Sequence, residues 1–291
     1  MNILLTGAGG FIGSNITRAL ITAGHRVRSV SRRHGVDFCR MQAMADWLPH
    51  LDGIDAVINS VGIIGETGTQ RFLPLHSAAP AALFRACAHA GVRRVLQISA
   101  LGADEAAFSA YHLSKRAADD CLRSLDLDWF VLRPSLVYGH GGRSAALFMR
   151  LAALPLIPVI GDGQQTLQPV HVCDVVATVL HSLSTTKTRQ TLDIVGSETI
   201  LFAEWLQSMR CALGLPRGRL LHIPFALALA GARLGRHIDP ILQPDNLRML
   251  EKGYWADVQP LQQFLGRMPL ALNPSLLFTD GVALPSPGRL T

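Results

Sequence analysis

Tyr111 and Lys115 stand four residues apart in Tyr111-His112-Leu113-Ser114-Lys115, a segment that reads as the start of a helix. Residues at that spacing share one helical face, so the phenol and the ammonium project into the same space. A tyrosine with a pKa near ~10 exchanges protons poorly at neutral pH, and a neighbouring cation is expected to stabilise its phenolate and lower that value. Ser99 closes the strand-like run 93–99. A hydroxyl at the carboxyl end of such a strand sits where open α/β sheets gather ligands, and it can hold a substrate oxygen. The three residues together make a proton relay for an alcohol or a carbonyl.

Such a relay works beside a hydride carrier, and the N-terminus has the pattern of a site for one. Residues 2–5 read as a buried strand, Thr6-Gly7-Ala8-Gly9-Gly10-Phe11-Ile12-Gly13 as a glycine-rich turn, and 14–24 as a helix. In that order they let backbone approach a pyrophosphate at the positive end of a helix dipole. The spacing Gly7, Gly10, Gly13 is one residue wider than the commonest dinucleotide fingerprint. A second strand, 26–30, runs into Ser31-Arg32-Arg33. NAD sites usually place a carboxylate there for the ribose hydroxyls; guanidinium groups instead favour a 2′-phosphate, and so NADP(H) over NAD(H). Residues 34–38 read as a very short third strand, with Asp37, or alternatively Asp46, as the adenine contact. Residues 55–62 form the next strand and open into the small-residue loop Asn59-Ser60-Val61-Gly62, suited to close approach of a cofactor.

Strand and helix alternate through the first half: a helix over 76–91 with Ala79, Leu83, Ala86 and Cys87 on its inner stripe, then the strand ending at Ser99. The 291 residues are 49% hydrophobic and 16% charged, enough for a large core, and the net charge of +6 is scattered rather than gathered into a run. Nucleic acid is therefore not the expected partner; a small anionic ligand suits this balance. The five cysteines lack CxxC spacing, which excludes a disulfide framework or a zinc site as the expectation and suggests buried thiols in a reducing compartment. No metal site is expected. The first strand begins at once, so no signal peptide is expected, and the most apolar stretch, 223–232, is too short to span a bilayer. The protein is expected to be cytoplasmic, with a peripheral contact at the inner face of a membrane left open.

In these motifs the chain resembles the short-chain dehydrogenase/reductase superfamily. The matching pieces also include Leu132-Arg133-Pro134-Ser135-Leu136-Val137-Tyr138-Gly139 and Gln168-Pro169-Val170-His171-Val172-Cys173-Asp174-Val175, typical of the extended and atypical branches. In detail it is most similar to the atypical branch that includes the NDUFA-nine-like accessory subunits of respiratory complex I and their bacterial relatives. The resemblance implies pyrophosphate contacts at Thr6, Gly7, Gly10, Phe11, Ile12 and Gly13, 2′-phosphate contacts at Arg32 and Arg33, and adenine contact near Asp37. It implies that Ser60, Val61 and Gly62 line the cofactor, that Ser99 and Tyr111 meet the reacting group, that Lys115 meets both ribose and phenol, and that Pro134 and Val137 pack by the nicotinamide. Many members of this branch bind the dinucleotide without established turnover.

The expected fold is α/β, a Rossmann-like doubly wound parallel sheet over 1–139 with a small, mostly helical substrate lobe over 140–291, of which about 164–196 returns to the core. Within the lobe, 143–154 reads as a helix, 156–163 as a loop over the site, 191–195 as a strand, and 199–213, 225–234 and 242–250 as helices; 285–291 reads as a mobile tail. His171 reads as a structural histidine that bonds backbone. The functions implied are an NADP(H)-dependent oxidoreductase acting on a hydrophobic carbonyl or alcohol, a non-catalytic NADPH-binding module in contact with a membrane or respiratory assembly, and an NAD-dependent sugar-nucleotide epimerase or dehydratase. Either a monomer or a homodimer is compatible with the sequence.

Overall fold

The protein is described here from a computed structural model covering residues 1–32, 35–235 and 239–278. In chain order the strands are β1 Asn2–Thr6, β2 Arg26–Val30, β3 Ala56–Asn59, β4 Arg94–Ile98, β5 Asp128–Pro134, β6 Val137–Tyr138, β7 Leu156–Ile160, β8 Thr166–Leu167, β9 Val170–His171, β10 Gln190–Ile194, β11 Ile200–Leu201 and β12 Arg219–Ile223. The helices are α1 Phe11–Thr22, α2 Met44–Leu51, α3 Ala79–Ala90, α4 Ala110–Arg123, α5 Arg143–Ala153, α6 Val172–Ser184, α7 Phe202–Ala212, α8 Phe225–Gly235, α9 Pro244–Lys252 and α10 Gln259–Leu265. The chain divides into two compact units, Met1–Pro134 with Val175–Ile194, and Ser135–Asp174 with Val195–Thr291.

The first unit is built on a six-stranded parallel sheet in the order β10-β5-β4-β3-β1-β2. Parallel strands are covered on both faces, so their sequences are nearly continuous apolar runs, as in Ala56-Val57-Ile58. Side chains alternate across the sheet: Leu4, Val57, Val95 and Val131 face a core completed by Trp47 and Leu51 of α2, Leu83 and Cys87 of α3, and Ala118 and Leu122 of α4. Ile3, Leu5 and Ile58 point to the opposite face and are equally buried. The strand order reverses between β1 and β3, which lie side by side, and the carboxyl ends of β1, β3 and β4 border that crevice.

Several expectations are corrected. Residues 34–38 do not form a strand among the described positions; Asp37 accepts from the Cys39 amide and turns the chain into a 3-10 turn, Phe38–Arg40. Phe38 then packs edge-on against the buried Trp47 at 5.2 Å, and the Trp47 indole donates to Met41 O at 2.9 Å. The helix expected from His76 begins earlier, as a π-helical turn over Leu73–Ala78 that runs into α3. Cys211 is exposed rather than buried, while Cys87 and Cys173 are buried as expected.

The second unit packs Tyr138, Ile157, Val159, Phe202, Trp205, Leu206 and Met209 around its own core. Residues 156–160 here are strand β7, not loop: they pair in parallel with β12, a two-stranded sheet that accommodates Pro158 at its edge. Gly161 and Gly163, both at positive φ, make the turn that follows. The tail 285–291 lies outside the described residues. Among the described residues no helix is long and apolar enough to cross a membrane.

Candidate active site

The glycine turn between β1 and α1 is shaped by contacts no side chain could tolerate. Gly7 has φ +74°, and a Cβ on Gly13 would lie 2.1 Å from the Gly7 carbonyl oxygen. The Gly10 amide donates to Gly7 O at 2.9 Å, and Ser14 N–H to Gly10 O at 2.9 Å. The amides of Phe11, Ile12 and Gly13 have no intrahelical acceptor, Gly10 supplies no side-chain cap, and the first turn of α1 holds no acid. An uncapped helix start reached through such a turn fits the pyrophosphate of a dinucleotide.

Below the cradle runs a ladder of buried polar groups at the strand ends. Thr6 Oγ1 donates to Asn59 Oδ1 at 2.5 Å, and the Val61 amide reaches the same oxygen at 3.3 Å. Asn59 Nδ2 donates to Gln97 Oε1 at 2.6 Å, and Ser60 Oγ to Thr6 O at 2.6 Å. The loop 60–62 is thereby tied to both β1 and β4.

α4 presents Tyr111, Lys115 and Asp119 at successive turns. Ser109 caps this helix by accepting from the His112 amide at 3.2 Å. Lys115 is 3% exposed, and its Nζ donates to Val61 O at 3.1 Å and to Ile98 O at 2.9 Å. A Cβ on Gly62 would come within 3.2 Å of that nitrogen, so Val61, Gly62 and Lys115 are brought together. Burial pulls the Lys115 ammonium down to about 8, against the opposing pull of Asp119. The Tyr111 phenol moves opposite to expectation: burial, with the Asp119 carboxylate adding to it, pushes it up to about 12. The lowering expected from Lys115 does not appear: its ammonium is turned to Val61 O and Ile98 O, and desolvation sets the phenol's direction.

Ser99 lies at the end of β4 as expected, but its hydroxyl donates to Asp119 Oδ2 at 2.5 Å. Burial raises the Asp119 carboxyl to about 7, while the Ser99 bond and the charge of Lys115 pull it back down. Neither Asp119 nor His76 was singled out from sequence. The signal for Asp119 is there, four residues beyond Lys115 on the same face; an aspartate on a helix reads by default as a solvated group. His76 Nε2 accepts from the Ile63 amide at 3.0 Å, its Nδ1 lies 3.0 Å from Ser114 Oγ, and Ser114 Oγ donates to Tyr111 O at 2.8 Å. The His76 ring stands edge-on to Tyr111 at 5.5 Å and stacks on Phe72 at 5.2 Å. Burial and the Lys115 charge hold this imidazole well below its ordinary range, so it is neutral, with the proton on Nδ1.

Arg32 is exposed just beyond β2; Arg33 and His34 lie outside the described residues. Asp37 accepts from Cys39 N and pairs with Arg40 at 3.6 Å, and Asp46 accepts from Ala43 N at the start of α2, so both candidate adenine contacts already have local structural work. Pro134 ends β5 and its carbonyl accepts from Leu101 N. Val137, in the second unit, pairs with Val170. In that unit His171 Nδ1 accepts from the Cys173 amide at 3.3 Å, the backbone bond expected of it. Among the described residues no cluster of His, Cys, Asp or Glu could hold a metal ion.

Comparison with known proteins matches this architecture. A family profile described as NAD dependent epimerase/dehydratase family covers residues 3–195. Ceramide reductase of Caulobacter vibrioides is 30% identical over 60% of this chain and 58% of that protein. The mitochondrial NADH dehydrogenase [ubiquinone] 1 alpha subcomplex subunit 9 of Arabidopsis thaliana is 28% identical over 62% of this chain and 46% of that protein. These curated relatives are thus matched over about half their length. The UDP-glucuronic acid 4-epimerase of Bacillus cereus, solved with UDP-glucuronic acid and NAD, superposes with a TM-score of 0.71 at 19% identity, covering 95% of this chain and 96% of that one. That likeness shows the Rossmann-like fold.

Proposed function

The chain belongs to the NAD dependent epimerase/dehydratase family, and from that premise we propose that it is an NADP(H)-dependent oxidoreductase of the atypical short-chain type. Its substrate is a small hydrophobic carbonyl or alcohol compound, and its setting is the cytoplasm. The observation that carries this reading is the buried Lys115 ammonium bonded to Val61 O and Ile98 O, one helical turn from Tyr111 and against the Gly62 loop. A nicotinamide dinucleotide, when bound, supplies or accepts the hydride. Thr6, Gly7, Gly10, Phe11, Ile12 and Gly13 hold the pyrophosphate, Arg32 and Arg33 the 2′-phosphate, and Ser60, Val61 and Gly62 the inner half of the cofactor. Pro134, at the end of β5, would border the ring.

A phenol pushed up to about 12 keeps its proton at neutral pH. Tyr111 is therefore suited to act as the acid, giving its Oη proton to the oxygen of a carbonyl under reduction. Ser99 has its hydroxyl proton on Asp119 and keeps its lone pairs to accept from a substrate hydroxyl. The ceramide reductase relative, a reductase by name, supports the hydrophobic substrate class.

Calorimetric titration with NADPH and NADH, after stripping any copurified dinucleotide, tests the reading. NADPH binding at least tenfold tighter than NADH, lost on Arg32→Ala, is the expected result. Preference for NAD(H) selects the epimerase or dehydratase alternative, and binding of neither sinks the oxidoreductase reading.

A second reading, an NADPH-binding module peripheral to the inner face of a membrane or to a respiratory assembly, is favoured by one observation. The outer stripe of α8 is Leu227, Ala230, Gly231 and Leu234, all exposed, with Leu227 at 64% and Leu234 at 75%. The complex I subunit among the relatives supports the same reading.

A further inference from the structure

We propose that Asp119 is the positioning residue of this site: it holds the Ser99 hydroxyl at the end of β4 and supplies the negative charge that keeps the Lys115 ammonium charged inside a closed interior. The proposal rests on the oxidoreductase reading only for the use to which Lys115 is put.

Asp119 is 0% exposed; its Oδ2 accepts from Ser99, and its Oδ1 has no hydrogen-bond partner among the described residues. A buried carboxylate left half-satisfied costs free energy unless something requires it. What surrounds it supplies the requirement. Lys115 lies one turn back on α4 and Tyr111 two turns back, on the face that Asp119 shares. Arg123 lies one turn on, and Arg133 stands on β5, where it pairs with Asp193 through bonds of 2.7 and 3.1 Å. Arg123 bonds Asp120 at 2.7 Å. Both guanidiniums are thus balanced by other acids, whereas Lys115 has no ion-pair partner within 4 Å among the described residues. Against Lys115 from the π-helical turn stands His76, which is neutral and cannot compensate it.

The backbone gives Lys115 two acceptors, Val61 O and Ile98 O, which fix its direction. Carbonyl dipoles orient an ammonium but carry no net charge; in a fully buried site the proton stays on the amine only with an anion in reach. Asp119 acts through Lys115 and Ser99 and need touch neither substrate nor cofactor.

The test needs no substrate. The chain contains three lysines, Lys115, Lys187 and Lys252, so full-length protein labelled with carbon-13 at lysine Cε gives three signals, and the one lost in Lys115→Met reports Lys115. In the parent protein that signal is expected to titrate at about 8. In Asp119→Asn, isosteric and uncharged, the midpoint should fall by about one pH unit or more, a tenfold change in proton affinity. Ser99→Ala, which leaves the carboxylate but removes the bond that favours its charged form, should lower the midpoint by less. It carries the test if Asp119→Asn does not fold. A Lys115 midpoint that is unchanged or raised in the folded variants overturns the proposal. The readout is taken without dinucleotide, so failure of the oxidoreductase reading leaves it standing, and its own failure leaves NADPH binding untouched.

Discussion

Gly13 lies so close to Gly7 that a Cβ on the first would stand 2.1 Å from the carbonyl oxygen of the second. Gly9, two residues beyond Gly7, has nothing within 4 Å of the same construction. Gly13→Ala must therefore displace either the start of α1 or the turn, while Gly9→Ala need move nothing. We expect Gly13→Ala to weaken dinucleotide binding at least tenfold, about 1.4 kcal/mol or more. Gly9→Ala should stay within about twofold; equal losses in the two variants, read by calorimetry, would argue against an anion cradle held by that contact.

Asn59 carries the polar ladder between β1, β3 and β4 through bonds to Thr6, Val61 and Gln97. Asn59→Ala leaves the Thr6 hydroxyl and the Gln97 amide buried without this partner. A loss of about 2–3 kcal/mol of stability is expected from urea denaturation, together with weaker cofactor binding, since the loop 60–62 loses its tether.

His76 is held neutral in the fold, well below its ordinary range. Below a pH of about 6.5 the unfolded chain takes up a proton that the folded chain refuses, so stability falls as the pH drops, by up to about 1.4 kcal/mol per unit. His76→Gln removes this dependence while costing stability at neutral pH through its lost bonds. The gap between parent and variant should narrow from pH about 7.5 to about 5.5; a constant gap would mean that His76 titrates alike in both states.

Tyr111→Phe is expected to abolish reduction of a hydrophobic carbonyl by NADPH while cofactor affinity stays within about threefold, below ~1 kcal/mol. In the proposed reaction the phenol gives the proton, so its removal should fall on turnover more than on binding. A parallel loss of binding and turnover would instead make the ring a structural support.

Leu227 and Leu234 test the second reading. Replacing both with Ser should cut sedimentation with anionic lipid vesicles severalfold and leave NADPH binding as it was, because α8 belongs to the second unit and its outer stripe has no part in the glycine cradle. Equal sedimentation of parent and variant would remove the lipid surface from consideration.

What was legible in the sequence was local. The glycine turn, the apolar runs of the parallel strands and the four-residue spacing of Tyr111 and Lys115 follow from short-range geometry and appear in the fold, although α1 begins at Phe11, three residues before the expected Ser14. Misreadings arose where a residue's role is set by a distant partner. Residues 156–160 contain proline and read locally as loop, yet β12, some sixty residues on, makes them a strand. Phe38 reads locally as the end of a short strand, but it sits in a 3-10 turn packed edge-on against Trp47.

Backbone sterics and helix periodicity act within a few residues, so the sequence alone determined the order of βα units, the glycine turn before α1 and the helical face that carries phenol and ammonium. The tertiary structure alone decided what those groups are charged with and bonded to. Desolvation depends on every layer around a side chain: it raises Tyr111, lowers Lys115, neutralises His76 and turns an aspartate that reads as solvated into the buried partner of Ser99.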